Sequence, residues 1–478
     1  MASKSTGTID GKQVIFELTD DSLEWEDQKD GTRDSIPLDH IIGIIPSAGG
    51  QHHDDDDDDE NSTATLLLLE ENPAKADAEQ PTLATRDASG LPGSLIKTKY
   101  VAPLPPHLQP SDPTNNCLEI HVVISTLSGT HGALRFFESA LRPLLSHINV
   151  TQYQTHETKS SRTIIELTQS IFLPRAKSEL PSTVILLSGD GGLIDMIKVI
   201  SAAENIDDET FVPPTICLIP MGTGNATFNS TSFLDADSTF GLSKLLRGTA
   251  SHLPVFQVAL SPGSAYVTDE GRGREPVCEG HSSSERVVEA EIYGAVVVSW
   301  GMHASLVADS DTAEYRKHGA DRFKMAATEL LYPSDGSETH QYKGKVTFVR
   351  RDGGGELYEE VMDRRSHMYV LITQVSHLEK GFMVSPASRP LDGQLRLVHF
   401  GPLPPDRAMG LMGLAYQGGK HVQEEEVGYE AVETVKLQQE EEDERWRRIC
   451  IDGKIVVIEK GGWVEVRSCQ RQLLRLVV

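Results

Sequence analysis

Three short apolar runs, at residues 118–124, 183–187 and 215–219, constrain the fold of this chain more than any other feature. The second and third show no polar alternation, the pattern of strands buried on both faces. Between the runs lie stretches with helical periodicity, at 132–145, 161–172 and 193–203. Strands alternating with helices predict a parallel sheet with helices on its faces. Ligands of such sheets lie beyond the C-terminal ends of the strands.

Two glycine-bearing strings stand at those ends, Ser188-Gly189-Asp190-Gly191-Gly192 and Pro220-Met221-Gly222-Thr223-Gly224-Asn225. A glycine-rich turn at a helix start offers unpaired backbone N–H groups and the positive end of a helix dipole, which together cradle an anion. Asp190 is out of place in a bare phosphate site, because its charge repels phosphate. It fits there if it takes a proton from an attacking hydroxyl or holds a magnesium ion. A third turn, with Ser128 and Gly129, follows the first strand and opens a helix. Each string alone is also an ordinary turn, since Gly, Asp and Ser favour turns and N-caps. None is a G-x-x-x-x-G-K-[ST] loop or a Rossmann G-x-G-x-x-G turn. All three in this order, each ending a strand of one α/β domain, argue for more than turns.

The chain has 478 residues, enough for more than one core. Residues 1–48 alternate as strands do and predict a small β element. Residues 49–116 read as a charged low-complexity insertion and a proline-rich linker, and 117–252 as the α/β domain. From 253 to 478 strand-type segments dominate, at 255–260, 287–299, 344–350, 368–375, 394–399, 434–438, 448–451 and 456–459. They predict an antiparallel sandwich, interrupted by helical stretches at 313–331 and 406–416. The expected fold class is α/β plus all-β.

The formal charge of -27 is concentrated in two acidic runs, at 54–60 and 440–444, which read as solvated loops. An acidic balance argues against nucleic acid as a partner. Five cysteines without a C-x-x-C pair indicate reduced thiols in a cytosolic setting. No apolar run approaches the ~20 residues of a membrane span, and the N-terminus lacks a signal-type apolar core. The expectation is a soluble, cytoplasmic protein that can still touch a membrane surface.

The order Ser-Gly-x-x-Gly, Ser-Gly-Asp-Gly, Pro-x-Gly-Thr-Gly-Asn resembles the diacylglycerol kinase catalytic domain, shared by diacylglycerol, ceramide and sphingosine kinases. The run from Asp309 through Asp311, Tyr315, Arg316 and Arg322 to Phe323 is similar to the sphingosine (long-chain base) kinases in particular. The resemblance spans about residues 118–460 and implies transfer of the γ-phosphate of ATP, with Mg2+, to the primary hydroxyl of a sphingoid base. It implies Asp190 as the general base. An ordinary aspartate, with a pKa of ~3.9, would accept that proton only as the transition state develops. It implies Asp195 as an acid on the following helix. It implies nucleotide contacts from Ser128, Gly129, Thr158, Gly189, Gly191, Gly192, Gly222, Thr223, Gly224 and Asn225, from Arg316 and Arg322, and from the Asp452-Gly453 turn.

Asp309 would meet the substrate's ammonium, with Asp311 competing for that role; both also read as caps of the next helix. The metal's protein ligands stay open. Arg316 and Arg322, six residues apart, lie about 120° from each other on one helix, so both reach one anion only if the helix bends or the side chains stretch. A Met/Leu stripe at 408–416 resembles the helix bordering the lipid pocket of those kinases, and equally reads as core.

Three departures stand out: Ser125-Thr126 where the family has Asn-Pro, Gly192 where it has another residue, and Lys454 where it has a glutamate that contacts adenine. The lysine inverts a charge and is expected to weaken ATP binding. Diacylglycerol or ceramide kinase is the alternative within the class. A non-catalytic relative that binds nucleotide or lipid and acts through protein partners is the alternative outside it. Peripheral, transient contact with a membrane follows from a lipid substrate.

Overall fold

The computed structural model describes residues 3–47, 63–70, 81–109, 118–208, 210–233, 237–277, 290–319 and 321–478. The acidic run at 54–60, Cys117 and Cys278 lie outside them.

The chain begins with a seven-stranded antiparallel sheet: β1 (Ser3–Ile9), β2 (Lys12–Leu18), β3 (Ser22–Asp27), β4 (Arg33–Pro37), β5 (Ile41–Pro46), β6 (Ala64–Glu70) and β7 (Thr82–Ser89). Their order is β4-β3-β2-β1-β7-β6-β5, and helix α1 (Gly93–Lys99) follows. The stretch expected as insertion and linker therefore supplies β6, β7 and α1. The sequence of β7, Thr-Leu-Ala-Thr-Arg-Asp-Ala-Ser, reads as a loop because most of it stays at the surface. Its pairing with β6 and with the distant β1 makes it a strand. Phe16, Leu23, Ile44, Leu66 and Leu68 build this sheet's own core. Ile42, Leu67 and Leu69, on the opposite face, share a core with Phe136, Leu144 and Leu245 of the next domain.

That domain contains β8 (Glu119–Ile124), β9 (Gln154–Glu157), β10 (Ser182–Ser188), β11 (Thr215–Pro220) and β12 (Ala250–His252). The order runs β12, the C-terminal strand Arg475–Val477, β11, β10, β8, β9, parallel except for β12. The register pairs Leu187 with Ile124 and Ser188 with Pro220, so β8, β10 and β11 end level with one another. Every residue of β10 is buried, as its unbroken apolar run requires. Helices α2 (133–147) and α3 (163–177) each contain a π turn, and α4 (Asp190–Ser201), α5 (Ala226–Ser232) and α6 (Leu242–Arg247) complete the layers. Helix α4 starts at Asp190, three residues before its apolar periodicity does, because the glycine turn itself forms the first turn of the helix.

The remainder is a sandwich. One antiparallel sheet holds Ala290–Gly294, Val255–Leu260, Trp463–Cys469, Thr434–Gln439, Tyr342–Arg351 and Leu357–Val361. The other holds Gly273–Pro276, Ala265–Thr268, β15 (Lys454–Val457), β14 (Arg448–Ile451), β13 (Val297–Gly301), Tyr369–Thr373, Leu395–Phe400 and Val427–Val432. Trp300, Val346, Phe348, Leu395, Val435 and Ile449 fill the space between them. Helix α7 (Met302–Ser310) lies on the outer face of the second sheet. The helix expected over 313–331 is two, α8 (Ala313–Arg316) and α9 (Asp321–Leu331), broken near Gly319, whose φ is +56°. The run 287–299 likewise divides into a strand ending at Gly294 and β13, with 287–289 outside the described residues. Helix α10 (Pro405–Ala415) packs Ala408, Leu411 and Ala415 into a core with Met368 and Phe400. Among the described residues no helix is long and apolar enough to cross a membrane.

Candidate active site

The three glycine turns meet beyond the level ends of β8, β10 and β11. A Cβ on Gly222 would lie 2.4 Å from Gly189 Cα, and one on Gly129 would lie 2.5 Å from the Met221 carbonyl. Gly129 also has a φ of +52°. These glycines let three backbones touch, which side chains would prevent. Gly192 closes against Ser188 and Ile164, seating α4 on the sheet. Gly191 differs: a Cβ there would meet nothing within 4 Å, so this part of the turn faces open space beside Asp190. Gly224 lies where a Cβ would come 2.8 Å from the Leu378 carbonyl of the sandwich domain.

Asp190, first residue of α4, accepts hydrogen bonds on both carboxylate oxygens, from the Ala226 N–H at 2.7 Å and the Thr227 N–H at 2.9 Å. It thus caps α5 while standing at the start of α4. Asn225, in the left-handed conformation (φ 52°), accepts from the Gly222 N–H and donates to the Gly222 carbonyl, which locks the second turn. Ser128 shares a 2.7 Å hydrogen bond with Ser125. Thr158 is buried, and its hydroxyl accepts from the Thr126 N–H, tying β9 to the first turn.

A hairpin of the sandwich reaches this end. Strands β14 and β15 join through Asp452-Gly453, both with positive φ (48° and 83°), the two-residue turn that an Asp-Gly pair favours. The Asp452 carboxylate accepts from the N–H groups of Ala295, Val296 and Val297 at 2.8, 3.0 and 2.6 Å. Burial nevertheless pushes its pKa up to about 6, and the Asp190 charge adds to the rise. One residue beyond the turn, Lys454 makes a 2.7 Å ion pair with Asp195 of α4. The lysine standing in place of an expected adenine contact therefore joins the two domains.

The acids assigned to the substrate are also occupied. Asp309, at the end of α7, pairs with Arg448 at 2.7 Å and Arg445 at 3.2 Å. Asp311 pairs with Arg316 at 2.9 Å and lies 3.6 Å from Arg322. The break between α8 and α9 is what lets those two arginines converge, as the sequence spacing demanded. Sequence reasoning missed Arg445 and Arg448; the signal was the basic run at 445–448 directly after the acids at 440–444. The Met/Leu stripe on α10 supplies core through Leu411, whereas Gly410 and Gly413 face open space. A cavity of about 480 Å³ lies between the end of α9 and the start of α10, lined by Leu331, Met368, Leu403 and Pro405. Among the described residues no group of three or more His, Cys, Asp or Glu side chains is arranged to hold a metal ion.

Residues 119–258 match the family model of the diacylglycerol kinase catalytic domain, and on that match the chain is an ATP-dependent lipid kinase. None of the curated proteins matches it in sequence. Among solved structures it is similar to a candidate diacylglycerol kinase from Bacillus anthracis str. Sterne, at 14% identity and a TM-score of 0.46 over 75% of this chain and 96% of that chain. A crystal structure of a diacylglycerol kinase from the same strain gives 11% and 0.41 over 75% and 96%. Yeast NADH kinase complexed with NADH gives 10% and 0.36 over 78% and 87%.

Proposed function

We propose that this chain transfers the γ-phosphate of ATP to the primary hydroxyl of a lipid, with Asp190 as general base. The observation that carries the proposal is the position of Asp190, at a helix start among three converging glycine turns within the matched domain. Its two backbone hydrogen bonds fix the carboxylate's orientation, so it is a positioned acceptor for the hydroxyl proton. The open space at Gly191, with the backbone of Gly222 and Thr223, is the room for the phosphates. Ser128, Gly129 and Asn225 shape that room, and Thr158 braces its wall. Arg316 and Arg322 converge on Asp311 and would supply guanidinium groups to a transferring phosphoryl group on leaving it. The Asp452-Gly453 turn is held near α4 by the adjacent Lys454–Asp195 ion pair. Mg2+ carried by the phosphates would neutralise their developing charge.

The sphingoid base suggested by Asp309 is one such primary alcohol; diacylglycerol and ceramide are others. A lipid substrate brings transient contact with a membrane surface. The test is purified protein with labelled ATP and Mg2+ against sphinganine, sphingosine, ceramide and diacylglycerol. Phosphate should reach at least one of them and be lost in Asp190→Asn. No transfer to any, with ATP binding intact, would sink the kinase mechanism and leave a nucleotide-binding relative.

A further inference from the structure

The N–H groups that hold Asp190 belong to the α/β domain, but the sandwich seats them. Both come from the first two residues of α5, so a tilt of α5 turns the carboxylate. Ala226, one of the two donors, is buried in an apolar core that it shares with Phe382, Val384, Leu411 and Ala415 of the sandwich. Further along α5 a hairpin of the sandwich takes hold, His377–Glu379 paired with Phe382–Met383. Ser230, 3% exposed, makes the grip. Its hydroxyl accepts from the His377 N–H at 2.9 Å and donates to the His377 carbonyl at 3.2 Å. One side chain thereby serves both backbone groups of a strand residue, as a residue of a neighbouring strand would.

A two-stranded ribbon is marginal by itself, so this one is ordered by what it touches. On the inner side the Phe233 ring lies 5.2 Å from that of His377, and the Leu378 carbonyl abuts Gly224 of the second glycine turn. On the outer side Tyr416, directly after α10, donates its hydroxyl to Glu379 and meets the Phe382 ring edge-on at 4.9 Å. Asp190 thus ends a chain of contacts that crosses between the domains. Helix α5 supplies the N–H groups, the hairpin seats α5, and the end of α10 anchors the hairpin.

Resting on Asp190 as general base, we infer that Ser230 and the hairpin it grips position that base, so that the carboxylate holds its working orientation only while the sandwich grips α5. Ser230 acts through Asp190 and is a positioning residue. Tyr416 supports it from the far end of the hairpin.

The experiment uses the full chain as Ser230→Ala, Tyr416→Phe, Asp190→Asn and the double variant of Ser230→Ala with Asp190→Asn. Tyr416→Phe keeps the ring of a side chain 54% exposed, so folding is not at risk there. Turnover is measured with labelled ATP and with sphinganine, sphingosine, ceramide and diacylglycerol as acceptors. Separately, amide hydrogen exchange is read by mass spectrometry in peptides covering residues 225–233 and 182–188. Ser230→Ala should lower kcat by about 10- to 100-fold, with the KM for ATP unchanged within about twofold. Tyr416→Phe should lower it by about two- to fivefold. The double variant should lose no more than Asp190→Asn alone, because Ser230 then has no base left to position. Exchange at 225–233 should rise about tenfold in Ser230→Ala while 182–188 stays unchanged. Unchanged exchange at 225–233, or an equal rise at 182–188, would overturn the inference whatever the turnover. Losses that multiply in the double variant would also overturn it. Full activity in Asp190→Asn would refute the base itself, and with it the inference, even if exchange follows the expected pattern.

Discussion

Cutting the ion pair between Lys454 and Asp195 should loosen the seam between the α/β domain and the sandwich. The charges sit 2.7 Å apart, with the acid 16% exposed and the lysine 37%. Two unit charges 4 Å apart near a protein surface attract by ~4 kcal/mol, before lost hydration is counted. Fully exposed pairs retain about 0.2–1 kcal/mol. This pair is buried mainly on the acid's side, so a coupling of about 1–2 kcal/mol is expected after screening. The two ends are unequal. Lys198 has its pKa lowered by burial and then by Lys454, with Asp195 opposing both. Asp195→Asn therefore leaves two ammonium groups facing each other and should cost about 2–3 kcal/mol, against about 1–2 for Lys454→Met. Urea unfolding of the two single variants and the double variant measures the coupling, and 1 M salt should reduce it. Because the lysine's partner is Asp195, Lys454→Met should change the KM for ATP by less than about threefold, under ~1 kcal/mol. Additivity within ~0.5 kcal/mol would refute the seam. A large gain in ATP affinity in Lys454→Glu with stability unchanged would return the residue to the nucleotide.

Gly222→Ala places a methyl group 2.4 Å from Gly189 Cα, backbone against backbone, and should cost about 1–3 kcal/mol or more in thermal unfolding. Gly191→Ala meets nothing within 4 Å and sits in a helix, so it should keep or raise stability by up to ~1 kcal/mol, yet raise the KM for ATP. A Gly191→Ala enzyme with unchanged ATP affinity would show that the phosphates lie elsewhere. Asp190→Asn should lower kcat/KM by about 10²–10⁴ while the fold survives, with a cost of ~1 kcal/mol from the weakened cap of α5. For Asp452 the folded pKa lies above its usual value, at about 6, so its contribution to stability is greatest in acid and is lost as pH rises through that value. Relative to the wild type, Asp452→Asn should gain about 2–3 kcal/mol between about pH 4 and 7, read as the difference between two stability–pH curves. A flat difference would mean the buried carboxylate has an ordinary pKa.

The α/β domain was legible because its evidence is local. Apolar runs of strand length, helical periodicity between them and a glycine string after each strand lie within a few residues of the positions they explain. The same holds for the Asp452-Gly453 turn, where the dipeptide selects the conformation. The polar β7 was not legible, since its strand character comes from β1 and β6 and not from its own residues. Nor was the return of the last strand, Arg475–Val477, into the sheet where the site lies.

Sequence alone determined which residues stand at the strand ends: Asp190, the glycines, and the acids and arginines further on. Their identities and local conformations follow from turn chemistry and strand patterning. Tertiary structure decided who pairs with whom. Lys454 meets Asp195 across 259 residues of chain, and Asp309 meets Arg445 and Arg448 across 136 and 139. Charge at one position says what a side chain can attract, but whether it is free to do so depends on neighbours that folding brings from elsewhere. For Asp309 the fold adds what its charge alone does not tell: Arg445 and Arg448 already pair with its carboxylate.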